Sequence, residues 1–191
     1  MQWNCPQFWK FRTDPAKIGE KEHWSKGVDS EIEIAVPGAW NEQLEEIGLI
    51  NYAGSVWYSC TMFLPKESGN RTYWLRVGSA DYHAKAWVNG KLVGQHNGAF
   101  VPFEFEMTDA VQPGSRNIIT ILVNNELSQE TIPQGIRSED FEQDDRIREE
   151  TFPPTRFDYF PYGGIQRPVI VHSTPRSFIE SVLVDTTAED S

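Results

Sequence analysis

Two stretches of the chain carry residue types that could do chemistry. The first is the acidic run Ser138-Glu139-Asp140-Phe141-Glu142-Gln143-Asp144-Asp145. Paired carboxylates can cleave a glycosidic bond, one as acid and the other as base or nucleophile. An acidic run in a loop is more often solvated surface. A loop also cannot readily fix two carboxyl groups at one separation. No catalytic residue is assigned here. The second stretch is Arg156-Phe157-Asp158-Tyr159-Phe160-Pro161-Tyr162-Gly163-Gly164, where one carboxylate stands among four aromatics beside two glycines. Sugars stack apolar faces on aromatic rings and donate hydroxyl hydrogen bonds to fixed carboxylates, and a charged acceptor makes the stronger bond. The residues alone leave a second reading open: a core aromatic cluster in which Asp158 caps a turn. Asn124-Asn125-Glu126 could present amide and carboxylate groups at a rim, or simply end a strand. Trp40, Trp57, Trp74 and Trp87 could be stacking platforms. Those inside strands (Trp57, Trp74 and Trp87) read as core, because large aromatics dominate burial.

Other chemistries have little support. His23, His83, His96 and His172 are scattered, and none has zinc-ligand spacing with another His or Cys. Calcium at Asp144-Asp145 would suit oxygen ligands, but the spacing is not that of an EF-hand. No metal site is assigned. The sequence has neither a nucleophile elbow nor a phosphate-cradling glycine loop, so no cofactor is expected. A net charge of −11 argues against nucleic acid and against an anionic membrane surface as partners. No apolar run has membrane-spanning length. Cys5 and Cys60 are the only two cysteines, and nothing resembles a secreted disulfide scaffold. No signal peptide is visible after Met1. The expectation is a soluble, cytoplasmic protein with reduced thiols; whether Cys5 and Cys60 pair is left open.

The elements that must position these residues repeat with a period of two. Strands are expected at Ser55–Leu64, Arg71–Val77, Lys85–Val88, Lys91–Val93, Phe103–Met107, Asn117–Val123, Pro168–His172 and Phe178–Asp185. Asn89-Gly90 between β-formers is a hairpin signal, since both turn residues need positive φ. Helical turns are expected at 109–111 and within 41–49. Ser128 to Arg156 is a long stretch with no clear strand, which in a compact domain marks a functional or disordered loop. Many short strands punctuated by Gly and Pro predict an all-β sandwich or jelly roll.

Eight segments together resemble the N-terminal domain of family 2 glycoside hydrolases. In order they are Val36-Pro37-Gly38, Asn51 to Tyr58, Ala86 to Gly90, Pro102-Phe103-Glu104, Val123 to Leu127, Thr131 to Gly135, Phe157 to Phe160, and Tyr162 to Val169. Asn-Tyr-Ala-Gly before Val-Trp-Tyr, and Asn-Asn-Glu-Leu before Thr-Ile-Pro-x-Gly, resemble β-glucuronidases more than β-galactosidases. The resemblance implies a galactose-binding-domain-like jelly roll over 1–173. It also implies a linker and the first strand of an immunoglobulin-like domain over 174–191, with a catalytic barrel beyond. Both catalytic glutamates of the family belong to that barrel, so this chain alone is expected to be inactive. Asp158 matches the aspartate that contacts sugar hydroxyls, with Phe157, Tyr162, Asn124 and Glu126 as supporting candidates. Pro161 and Gly163 replace the more typical Asn and Ala. The implied partner is the β-glucuronide of a retaining enzyme, with room for a homo-oligomer of the whole protein. The alternatives are a stand-alone carbohydrate-binding module and the corresponding domain of a β-galactosidase.

Overall fold

The computed structural model describes residues 1–127, 131 and 162–186. Two antiparallel sheets face each other across one core, giving the expected β-sandwich of jelly-roll type. The six-stranded sheet runs β3-β2-β5-β10-β7-β8, built from Glu33–Ala35, Phe8–Thr13, Ser55–Leu64, Ser115–Asn124, His83–Val88 and Lys91–Asn97. The facing sheet runs β1-β11-β6-β9, built from Gln2–Asn4, Gly164–Pro175, Arg71–Asp81 and Phe103–Glu106, with the short β4 (Gly38–Ala39) also on β11.

Alternation decides which side chains meet. In β5, Val56, Tyr58, Cys60, Met62 and Leu64 point into the main core; in β10, Ile119, Ile121 and Val123 do so. From the other sheet, Tyr73, Leu75, Val77, Val169 and Val171 close it. The β5–β10 ladder holds register over ten pairs, from Ser55↔Asn124 to Leu64↔Ser115. A slip of one residue would turn this whole apolar set to the outer face. That outer face has its own cluster of Val28, Trp57, Trp87 and Leu122, with Trp24 against it. Asp14 fixes the covering segment. One of its oxygens accepts the Ile18 N–H, and the other accepts Gly19 N–H and the Trp57 indole N–H, each at 2.8–2.9 Å. The Arg12 guanidinium lies 3.9 Å from the centre of the Trp24 ring.

Asn89 and Gly90 have φ of 51° and 80°, as the two-residue hairpin requires. Helical structure is limited to α1 (Trp40–Gln43) and two 3-10 turns among the described residues. The turn expected at 109–111 is present: Met107 C=O accepts the N–H groups of Ala110 and Val111. β11 runs through Ser173 and Thr174 to Pro175, pairing with Tyr73, Thr72 and Arg71. The expected strand at Phe178–Asp185 is not one here. No neighbouring strand among the described residues completes a ladder for it, and an unpaired strand is not stable alone. Phe178 nonetheless touches the sandwich, edge-on to Trp74 with ring centres 5.6 Å apart. Trp57 and Trp87 are core as expected, whereas Trp74 sits half-buried on the outer face. Trp40 is fully buried and therefore not a platform. Cys5 and Cys60 are free thiols, and burial, then the nearby Cys5, pushes the Cys60 thiol well above its ordinary value.

Candidate functional site

One end of the sandwich gathers the residues of interest. Leu127 leaves β10 there, and Gly163 and Gly164 lead into β11 there, so the segment containing Asp158 starts and finishes at this rim. Its exit is clamped. Asn41, fully buried, accepts the Gly163 N–H at 2.8 Å with its side-chain oxygen. Its amide nitrogen donates to the carbonyls of Leu49, Ile50 and Tyr52 at 2.8–3.3 Å. Trp40 N–H donates to Gly163 C=O at 3.2 Å, and the Trp40 indole donates to Tyr52 C=O at 3.2 Å. A side chain on Gly163 would run into the Trp40 ring and come 2.7 Å from the Asn125 amide nitrogen. Asn125, also buried, accepts Gly54 N–H at 2.9 Å. Gly164 has φ +148° and packs on the Gly38 backbone so closely that a Cβ has no space. These contacts lock the chain immediately after Tyr162.

Beside the clamp lies Asp81, the last residue of β6 and the register partner of Gly164. It is wholly buried. One oxygen accepts the Ser79 hydroxyl at 3.2 Å and the Phe100 N–H at 3.1 Å, while the other has no hydrogen-bond partner among the described residues. Burial raises this carboxyl to about 6, against the opposing pull of the Phe100 N–H, the Ser79 hydroxyl, Arg167 and the Gln166 side chain. Phe100 has φ of 65°, a left-handed backbone that a bulky residue rarely adopts. Tyr82 stands edge-on to Phe100 at 6.3 Å and packs with Ala99 and Leu127.

Asn124 and Glu126 stand on the same rim, next to Tyr82, whose N–H donates to Asn124 C=O at 2.9 Å. Their side chains are engaged locally. The Asn124 amide donates to Ser55 Oγ at 3.1 Å and to Glu126 at 2.9 Å, and Lys17 Nζ reaches Glu126 at 2.8 Å. Burial pushes the Glu126 carboxyl up, but the Lys17 and Asn124 hydrogen bonds outweigh it and leave it below the ordinary range. Tyr162 is partly exposed, one residue before the clamped Gly163. Asp158, Phe157 and the acidic run 138–145 lie outside the described residues. The structure thus brings Asn124, Glu126 and Tyr162 to one rim.

Sequence reading missed Asn41, Asp81 and Phe100. Asn41 was legible only as part of a helical turn. Asp81 interrupts a strand-like run with a charge, which is a usable signal. Nothing in the sequence marks Phe100 as left-handed. Among the described residues, no group of three or more His, Cys, Asp or Glu is placed to hold a metal, and no helix is long and apolar enough to cross a membrane.

Comparison with known proteins bears on the family of the chain. The family described as "Glycosyl hydrolases family 2, sugar binding domain" matches residues 5–175. A β-glucuronidase of Paenibacillus borealis is 35% identical over 181 residues, covering 93% of this chain and 30% of that protein. The human β-glucuronidase is 32% identical over 194 residues, covering 95% and 30% respectively. Ruminococcus gnavus β-glucuronidase superposes with a TM-score of 0.81 at 30% identity, covering 92% of this chain and 28% of that one. A structure of the same enzyme in complex with uronic isofagomine also gives 0.81, at 29% identity. The chain spans about three-tenths of the length of these relatives. With a two-sheet sandwich core and a family match across nearly its whole length, this chain belongs to the sugar-binding domains of family 2 glycosyl hydrolases.

Proposed function

We propose that this chain is the sugar-binding domain of a retaining β-glucuronidase, and that Asp158 presents a fixed carboxylate to non-reacting hydroxyls of the glucuronide. The observation that carries the reading is the Asn41–Gly163 clamp, which anchors the chain five residues after Asp158. A carboxylate held in one place loses little freedom when sugar binds, so hydrogen bonds to it would help hold the ring in the reactive position. That binding energy is remote from the bond being cleaved, and it supports catalysis only through alignment. The catalytic acid and nucleophile belong to a barrel outside this chain. The bound uronic isofagomine of the R. gnavus enzyme is in keeping with a uronic acid as the substrate class. Phe157, Tyr162, Asn124 and Glu126 are the supporting candidates in this reading. Residues 174–191 lead into a following immunoglobulin-like domain. Ile179, Val182, Leu183 and Val184 are exposed here and would be covered by such a neighbour.

Two measurements test this. The purified chain should not hydrolyse a chromogenic glucuronide, and turnover that persists after removal of contaminating enzyme would overturn the reading. In the enzyme that contains this domain, Asp158→Ala should lower kcat/KM about ten- to a hundredfold, the worth of one or two charge-assisted hydrogen bonds. An unchanged value would remove Asp158 from the site.

A further inference from the structure

We infer that Cys5 and Cys60 are an oxidation site, where a hydroperoxide converts the two thiols into a disulfide that ties the two sheets together. The two are the only cysteines of the chain, and both are free thiols. The Cys5 thiol donates to the Met62 sulfur at 3.7 Å. Met62 and Cys60 are successive inward-pointing residues of β5, so Cys60 stands beside that sulfur on the same face, and Cys5 packs against the core cluster that holds both. The Cys60 thiol also lies within hydrogen-bond reach of the Cys5 side chain; burial first, and that neighbour second, hold it well above its ordinary value. Exposure separates the roles. Cys5 is partly exposed and Cys60 is buried. An oxidant therefore meets Cys5 first, while Cys60 waits behind it as a neutral thiol.

One molecule of hydrogen peroxide suffices. The Cys5 thiolate attacks a peroxide oxygen; an S–O bond forms, the O–O bond breaks, and hydroxide leaves as water with the proton that the thiol gave up. Cys60 then attacks the sulfur of the Cys5 sulfenic acid. The S–S bond forms, the S–O bond breaks, and the second hydroxide leaves as water with the Cys60 proton. Two thiols lose two electrons and two protons, and the peroxide is reduced to two waters. A buried thiol is a slow nucleophile, but contact with its target replaces a bimolecular encounter. The bond joins opposite layers of the sandwich. Cys5 follows β1 and is held to β11 by its N–H on Val169 C=O at 3.1 Å, whereas Cys60 lies within β5, opposite Ile119 of β10. The loop that it closes contains Trp40 and Asn41, the residues that hold Gly163.

The test exposes the purified, folded chain to hydrogen peroxide and compares it with the same chain kept in dithiothreitol. Thiol titration in denaturant should fall from two per chain to none. Digestion without reductant should give one pair of peptides joined through Cys5 and Cys60, from a chain that stays monomeric, and dithiothreitol should restore both thiols. Because the bond closes a long loop, the oxidised chain should melt roughly 5–15 °C higher. Cys5→Ser should leave Cys60 a thiol until urea unfolds the chain, and Cys60→Ala should let Cys5 continue to the sulfinic acid. The linkage itself is read on the parent chain, so the outcome does not depend on either variant folding. Survival of both thiols, over-oxidation of Cys5 in the parent while Cys60 stays reduced, or a bond between two chains would overturn the proposal. So would an unchanged or lower Tm, since the bond would then form only by distorting the fold.

Discussion

Replacing Asn41 with Ala tests whether one buried amide holds the chain at Gly163. Asn41 makes four hydrogen bonds, yet they are not equal in worth. Tyr52 C=O keeps the Trp40 indole as a donor after the substitution. Ile50 is exposed, and water can replace the lost amide there. The Gly163 N–H is different: it is buried against Trp40, and Asn41 is its acceptor. Leaving such a donor unsatisfied costs about 1–3 kcal/mol. The space left by the carboxamide adds about 1 kcal/mol. The sum is about 2–4 kcal/mol, most of it from one N–H. For a domain of this size that is a fall in Tm of roughly 5–15 °C. Urea unfolding of the chain, followed by tryptophan fluorescence, should show a lower midpoint at unchanged m. Asn41→Asp keeps the acceptor for Gly163 but sets a charged carboxylate against three carbonyl oxygens, so it should be at least as damaging at pH 7. In the enzyme, Asn41→Ala should also lower kcat/KM, because a misplacement of about 1 Å can cost on the order of a hundredfold. A loss of stability below about 0.5 kcal/mol would refute the reasoning, because water would then be satisfying Gly163.

Two further outcomes are expected. The Asp81 carboxyl sits at about 6 in the fold against an ordinary 3.8. Its stabilising effect is therefore full below pH 3.8 and is lost as pH rises through about 6. Asp81→Asn should stabilise the chain at pH 8 by up to about 3 kcal/mol and change little at pH 4; urea titrations at the two pH values check this, and a gain independent of pH would exclude Asp81 titration as its source. Deleting 176–191 should shift Tm by less than about 3 °C, because Phe178 alone of its large apolar residues packs on the sandwich, against Trp74. A larger fall in a thermal melt would make the tail part of this core.

How much was legible varied with how local the cause was. The interior strands were plain because their signals are local: alternation in Ser55–Leu64, a β-branched run in Asn117–Val123, and Asn89-Gly90 with its two left-handed residues. The N-terminal strands were not. Gln2–Asn4 and Glu33–Ala35 are three residues each, too short for a period to show, and they exist because β11 and β2 offer an edge. Phe178–Asp185 failed in the opposite sense. Its pattern suits a strand, but a strand is a pairing, and no partner is present among the described residues.

The sequence by itself determined the fold class, the hairpin, the branch of family 2 that it resembles, and the segment of interest around Asp158. Each is written in residue type and short spacing. Only the tertiary structure decided which residues serve that segment. Asn41 lies 122 positions from Gly163, and Asp81 lies 19 positions from Phe100. No local pattern encodes such distances, because chain folding sets them. The same holds for the role of each group. A buried Asp81 and a half-exposed Glu126 are alike as letters, but burial raises one carboxyl while Lys17 and Asn124 lower the other. The chemistry of a side chain is set by what surrounds it, and the surroundings exist only in the fold.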